Sequence, residues 1–401
     1  MNKKISAAVA SAALVLGAAS SANAGIIIPA GEWTLDVNGN VNVYASRTST
    51  DDASTNSIIG GTAKTNEATT GEDVALGINT GLLPAWLGFT GTTRQNDLDV
   101  SFTISMQPNV SDNGVTGDGA TTTQTAGPLW RQAFLTFGDA SWGTVKMGKD
   151  IGIFARNAIL SDMTLLGVGS SANGSGASTT LGGIGTGYIY AAWKGQVSYT
   201  TPNMNGLQAT VGITNPNQLS ATSGGLTNRQ DRYGVEGEVN YNFDAGKVWV
   251  SGASYKAQVS NTQEIDIHAL DLGVNFNMGN AGLTAYVYTG EGAGTTFLGT
   301  NGFTGGKERD SDGGYIQGTY VIPTGTKIGL AYGVSKLDCA TGETTCGSLI
   351  EENKRWTIGA YHPLTKHLNL VAEYNNMESD AHDGITSVEN DSISLGAILF
   401  F

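Results

Sequence analysis

Apolar and polar residues alternate one by one along residues 33–47. Trp33, Leu35, Val37, Val41, Val43 and Ala45 share one face; Thr34, Asp36, Asn38, Asn40, Asn42, Tyr44 and Ser46 share the other. A period of two marks a β-strand with one apolar and one wet side. About fourteen residues is long for a strand of a soluble domain. The same alternation recurs over 98–107, 129–138, 143–149, 193–201 and 388–401. Residues 74–79 alternate too, but the neighbouring 84–93 is the better match to a full strand.

The connections between these runs fall into two kinds. Short turns of Gly, Pro, Asn and Asp occupy 139–142, 202–205, 244–246, 279–282, 323–325 and 363–367, as hairpins require. Longer polar stretches occupy 48–73, 109–127, 150–192, 215–230, 291–310, 338–347 and 378–386, with a shorter one at 260–264. Short turns on one side and long loops on the other predict an all-β fold, a transmembrane antiparallel β-barrel of about sixteen strands. The short turns are then periplasmic and the long loops extracellular. Trp33, Trp142, Phe243, Tyr361 and Phe401 stand at strand ends beside the short turns, where an interfacial aromatic girdle is expected.

Composition supports a barrel in lipid. Charged residues make up 14% of the chain, against roughly 25% in ordinary globular proteins. Glycine is abundant, at 57 residues, while there are only 8 prolines, so the chain is not of the Pro/Gly-rich disordered kind. Residues 1–24 form a separate unit: Lys3 and Lys4, an apolar run over 5–19, and the small-x-small triplet Ala22-Asn23-Ala24. That is a secretory leader, which leaves 25–401 as the barrel domain. Beyond it no apolar run approaches the roughly 18–20 residues of a membrane helix. The net charge of −14 argues against nucleic acid as a partner, because phosphate binding needs clustered Lys and Arg.

The connection at 150–192 stands out, since a loop of about forty residues inside a β-rich chain needs a purpose. Rich in Gly, Ser and Thr, it is predicted to fold into the barrel and narrow it. Arg131, Lys146, Lys149, Arg156 and Lys194 lie in or beside the strands that bracket it, and Asp162 is the only acidic residue between Ile151 and Ala192. A ring of charge in a low-dielectric constriction focuses the field and selects ions. Lys146 is out of phase with the apolar Val145 and Met147 and so is assigned to the lumen. Arg131 is assigned there as well, although it shares parity with Ala133, Leu135 and Phe137. For Lys149, Arg156 and Lys194 the alternative is a strand-end charge reaching lipopolysaccharide or bulk water. Glu236, Glu238, Asp271 and Glu373 oppose apolar faces and read as lumen-lining charge. Cys339 and Cys346 read as one local disulfide in an oxidising compartment, or else as a pair of free loop thiols. The four histidines, His268, His362, His367 and His382, have no recognisable nucleophile or carboxylate partner. No motif implies a cofactor.

Three stretches in order carry a resemblance: Arg131-Gln132-Ala133-Phe134-Leu135-Thr136-Phe137, then Trp142-Gly143-Thr144-Val145-Lys146-Met147-Gly148-Lys149 before the long loop, and the terminal Leu399-Phe400-Phe401. With the leader, the chain resembles the Gram-negative general porins. Ser161-Asp162-Met163 looks like the start of the enterobacterial loop motif Asp-Met-Leu-Pro-Glu-Phe-Gly-Gly, but its Pro and Glu are missing here. The resemblance implies a homotrimer in outer-membrane lipid and lipopolysaccharide that passes small hydrophilic solutes and ions. It also implies a third loop folded into the lumen. The rival expectations are a substrate-specific channel of the same fold, a barrel adhesin and an outer-membrane hydrolase.

Overall fold

The structure, a computed structural model, describes residues 25–50, 58–63, 73–108, 110, 129–170, 179–215, 232–258 and 264–401. The predicted leader lies outside the described residues. So, in the main, do the predicted loops 109–127, 215–230 and 260–264, with parts of 48–73 and 150–192.

The chain runs through β1 (Ile26–Ala30), β2 (Trp33–Thr50), β3 (Val74–Asn79), β4 (Trp86–Gln95), β5 (Leu98–Gln107), β6 (Leu129–Asp139) and β7 (Gly143–Ile151). A short helix α1 (Arg156–Ser161) follows, then β8 (Trp193–Thr200), β9 (Leu207–Thr214), β10 (Gly234–Phe243), β11 (Gly246–Gln258), β12 (Glu264–Met278) and β13 (Ala281–Glu291). A small hairpin of β14 (Phe303–Thr304) and β15 (Lys307–Glu308) precedes β16 (Asp310–Val321), β17 (Lys327–Leu337), β18 (Ile350–Pro363), β19 (Leu368–Ala381) and β20 (Ser387–Phe400). The long strands pair antiparallel with their sequence neighbours, and β20 returns to β2. The result is a closed barrel of sixteen strands. Closure leaves no unpaired sheet edge to face hydrocarbon.

Two of those sixteen are composite. β3 pairs with the upper part of β2, from Tyr44↔Asn79 to Ser49↔Val74, and β4 with the lower part, from Thr34↔Thr92 to Asn40↔Trp86. The alternating segments 74–79 and 84–93 are therefore two halves of one barrel strand, not a loop followed by a strand. Between them residues 80–85 dip inward, with Thr80, Leu82 and Ala85 buried. On the other side of β2, β20 pairs along Asn40–Thr50 and β1 along Trp33–Val37, so β1 continues the column of β20. Ile26-Ile27-Ile28 does not alternate, which hid β1 from pattern reading.

Along the wall the pleat sorts the side chains. Val41, Val43, Leu270, Leu272, Val287, Ile316, Leu330 and Leu395 are exposed on the outside, while Asn40, Asn42, Thr357, Asn375 and Ser394 are buried within. Two expectations are corrected by this sorting. Tyr361 is not in the girdle: it points inward at 2% exposure. The predicted loop 378–386 shrinks to residues 382–386, because Glu378 and Asp380 are outward residues of β19 held by Lys354 at 3.4 and 3.0 Å.

The break at 80–85 is a contact point for the long loop. Leu82 N donates to Gly167 O at 2.9 Å, and Thr180 N to Gly81 O at 3.3 Å. A Cβ on Gly81 would lie 2.1 Å from Gly167 O, so only glycine allows this approach. Gly81→Val should cost about 1–3 kcal/mol locally, as overpacking does. It is expected to accelerate amide exchange in 163–170 about tenfold or more while the barrel stays folded, as hydrogen-exchange mass spectrometry would read.

Candidate functional site

After β7 the chain turns into the barrel, and a series of wall side chains receives it. The amides of Ile153 and Phe154 donate to Glu236 Oε2 on β10 at 2.6 and 3.1 Å. Ala155, with φ 61 and no side-chain cap, donates its amide to Ser251 Oγ on β11 at 3.2 Å. In α1, Arg156 grips Glu238 through Nε at 3.0 Å and Nη2 at 2.7 Å, and Asn157 Nδ2 donates to the same carboxylate at 2.8 Å. Further along, the Tyr315 hydroxyl on β16 donates to Ala158 O at 2.8 Å, and Gln317 spans Ser161 O and Met163 N at 2.7 and 2.9 Å. Glu373 on β19 then accepts the amides of Val168 and Gly169 at 2.9 and 2.8 Å and the Tyr361 hydroxyl at 2.7 Å. Tyr44 on β2 closes the path by donating to Leu166 O at 2.7 Å.

The chemistry explains this set. Backbone groups in an irregular buried segment have no ladder to satisfy them, and an unmet donor is expensive. A carboxylate accepts several amides at once through charge-assisted bonds. Glu236, Glu238 and Glu373 are 1%, 4% and 3% exposed, so they serve as loop anchors rather than open lumen lining. Inward parity was visible in the sequence, but what each carboxylate meets was not. Asp271, the fourth of that group, accepts Ser251 N at 2.8 Å and the Tyr286 hydroxyl at 3.2 Å, both within the wall.

The returning limb is tied to the outgoing one. Asp162 accepts Thr164 N, Gly183 N and the Tyr188 hydroxyl at 2.9, 2.9 and 2.8 Å. Gly187 N donates to Ser335 Oγ at 3.0 Å, and Tyr190 N to Thr296 O of the 292–309 connection at 2.9 Å. Beneath, Phe154, Ala158, Ile159, Ile184 and Ile189 pack with Trp249, Tyr286 and Tyr315 in one apolar cluster. The pairs Trp249–Tyr286 and Tyr286–Tyr315 are stacked.

The six predicted constriction residues separate. Lys146 faces inward, bonded to Asp150 Oδ2 at 2.5 Å and lying over the Phe134 ring. Arg156 is on the loop, with its guanidinium on Glu238. Arg131 sits in a β-bulge between the pairs Ser105↔Gln132 and Met106↔Trp130. The extra residue re-aims it, and its Nη1 donates to the Tyr190 hydroxyl at 3.3 Å. Three expectations are corrected. Lys149 shares the outward parity of Val145 and Met147 and donates to Trp130 O at 3.0 Å in an exposed position. Lys194 is inward but only 1% exposed, paired with Glu236 and the Tyr255 hydroxyl beneath the loop. Asp162 is 4% exposed and holds loop to loop, so it is not an open lumen charge. Cys339 and Cys346 are bonded to each other between β17 and β18.

The Lys194–Glu236 pair makes a sharp prediction. Removing one member of a buried pair strands the other, a loss of about 3–5 kcal/mol. Glu236→Ala is therefore expected to lower the unfolding midpoint of the barrel clearly, and adding Lys194→Met to recover part of that loss. Thermal denaturation of the two variants checks it, and a double variant no better than the single would contradict it.

A family model described as Gram-negative porin matches residues 8–382. No curated protein matches the sequence. Among solved structures, the outer-membrane channel DcaP of Acinetobacter baumannii is similar, with TM-score 0.67 and 16% identity over 93% of this chain and 99% of that one. OmpF of Salmonella typhi in complex with daunomycin gives TM-score 0.60 at 15% identity, covering 94% of this chain and 100% of that one. The trimer form of OmpT from Vibrio cholerae gives 0.56 at 14%, covering 92% and 99%. At these identities the structural likeness bears on the fold, and the family match extends over most of the sequence. The chain belongs to the Gram-negative porins, β-barrel channel proteins of the outer membrane.

Proposed function

We propose that the protein passes small hydrophilic solutes and ions by passive diffusion, through a water-filled gap between the docked loop and the wall of β5–β7. The observation that carries this reading is the asymmetry of its ion pairs. The side chains of Lys146 and Arg156 keep 23% and 20% of their surface accessible, whereas their partners Asp150 and Glu238 keep 1% each. Each pair is formally neutral, but the cation is the end that meets the lumen. Arg131, on the same side, adds a third.

Among the described residues, most loop-to-wall hydrogen bonds fall on β9 to β11, β16 to β19 and β2. On the β5–β7 side Arg131 reaches the Tyr190 hydroxyl at 3.3 Å, and other inward groups bond among themselves: Ser105 to Gln132 at 3.0 Å, and Gln132 to Asp150 at 3.1 Å. That leaves the β5–β7 side as the border of the free passage. Local charge there overrides the acidic total of the chain, because a narrow, low-dielectric gap focuses the nearest charges. The channel is accordingly anion-preferring. We further propose that it works as a homotrimer in a bilayer of lipid and lipopolysaccharide. The trimer form of the Vibrio cholerae protein supports the oligomeric part of that reading.

Purified protein in a planar bilayer under a salt gradient tests this directly. Large conductance closing in three equal steps is expected, with a reversal potential of anionic sign. Lys146→Gln should shift that potential toward cations while keeping a donor beside the buried Asp150 carboxylate. Cation preference in the unmodified protein would contradict the charge reading, and absence of conductance from folded protein would overturn the channel reading in favour of an adhesin or enzyme.

A further inference from the structure

The first described residue, Gly25, sits directly against an acidic side chain of the wall. A Cβ built on Gly25 would lie 1.9 Å from Oδ1 of Asp36 and 2.8 Å from its Cγ. Cβ and nitrogen on one α-carbon are about 2.5 Å apart, so the Gly25 nitrogen is within about 4.4 Å of that oxygen. Oδ1 of Asp36 is buried and has no hydrogen-bond partner among the described residues. The register from Ile26↔Val37 to Ala30↔Trp33 holds Gly25 in place at the end of the ladder.

An intact peptide bond at Gly25 suits this carboxylate poorly. Its nitrogen carries one hydrogen, fixed in direction by the planar amide. A free α-ammonium at the same atom has a positive charge and three tetrahedral donors, so it reaches an oxygen that the amide misses. Ala22-Asn23-Ala24 supplies the processing signal immediately before it. The inference therefore rests on reading residues 1–24 as a leader removed between Ala24 and Gly25. In that step a signal endopeptidase adds water across the Ala24–Gly25 amide. The C–N bond breaks, Ala24 keeps the water oxygen as a carboxylate, and both water protons end on the Gly25 nitrogen.

We propose that Asp36 is the receptor for the α-ammonium of Gly25, so that removal of the leader creates the ion pair that locks β1 onto β2 at the periplasmic mouth. A side chain at the new terminus would push the Asp36 carboxylate away from the amine, so glycine is the residue that lets the two meet. The lock acts where β1 most needs one. Its residues are exposed on both faces, Ile26 and Ile27 by 56% and 58%, and its ladder to β2 is five residues long.

Two measurements separate the proposal from the reading on which it rests. The intact mass of protein purified from the envelope reports its first residue: Gly25 is expected, and any other start overturns processing at Ala24. The ion pair is tested independently on protein refolded from a chain that begins at Gly25. Its α-amine is acylated at pH 7 with a limiting amount of an anhydride, the lysines serving as internal reference. Asp36→Asn should accelerate α-amine modification about tenfold, equivalent to one unit in the amine's pKa. Gly25→Ala should accelerate it as well while keeping Asp36, and carries the test if the Asp36 variant does not refold. Equal rates in the unmodified and variant barrels would overturn the pairing.

Discussion

A buried carboxylate that accepts backbone amides is the interaction on which the rest of this protein depends. The barrel wall is generic: alternating residues, short turns and closure would hold almost any lumen. What makes this lumen particular is the inward chain of residues 152–170 and 179–192, whose backbone lies outside the barrel ladder and must still be satisfied out of water. Glu236 and Glu373 accept backbone amides from two separated parts of the wall, Glu238 holds the side chains of Arg156 and Asn157, and the hydroxyls of Tyr44 and Tyr315 donate to loop carbonyls. Remove the carboxylates and the loop loses its reason to lie against the wall.

Close approach of backbones is the second requirement. Gly81 lets Gly167 O come near, and Gly333 on β17 does the same for Thr186 O, where a Cβ would lie 2.1 Å away. Charge placement then follows from docking. Glu238 is covered, so its partner Arg156 is the end left accessible; Asp150 is covered, and Lys146 projects beyond it. On the proposed reading, an acidic protein thereby presents a basic lining at one place, through burial of the anionic ends rather than through an excess of cations.

Much of this was legible in the chain. Period-two alternation located most strands because lipid and water enforce opposite faces along the whole length of each one. The position of the inward loop was legible from its length and from the two strands before it. Lys149 carried a readable signal as well, since its parity with Val145 and Met147 puts it outside. Arg131 did not, because its inward aim depends on a bulge created by the offset of β5 and β6. The anchoring carboxylates were visible only as inward charges: parity tells which side a residue faces, but not which distant segment arrives there. Residues 74–79 and 84–93 failed as a pair for a related reason, since a strand interrupted by an inward dip looks like two competing candidates.

The most direct measurement is the single-channel conductance of a folded Glu236→Ala/Glu373→Ala variant beside the unmodified protein in the same salt. If the loop sets the aperture and these carboxylates hold it, the variant will show larger and noisier openings. An unchanged conductance from an intact barrel would contradict the account, and would mean that the aperture is set elsewhere or that the loop keeps its place without them.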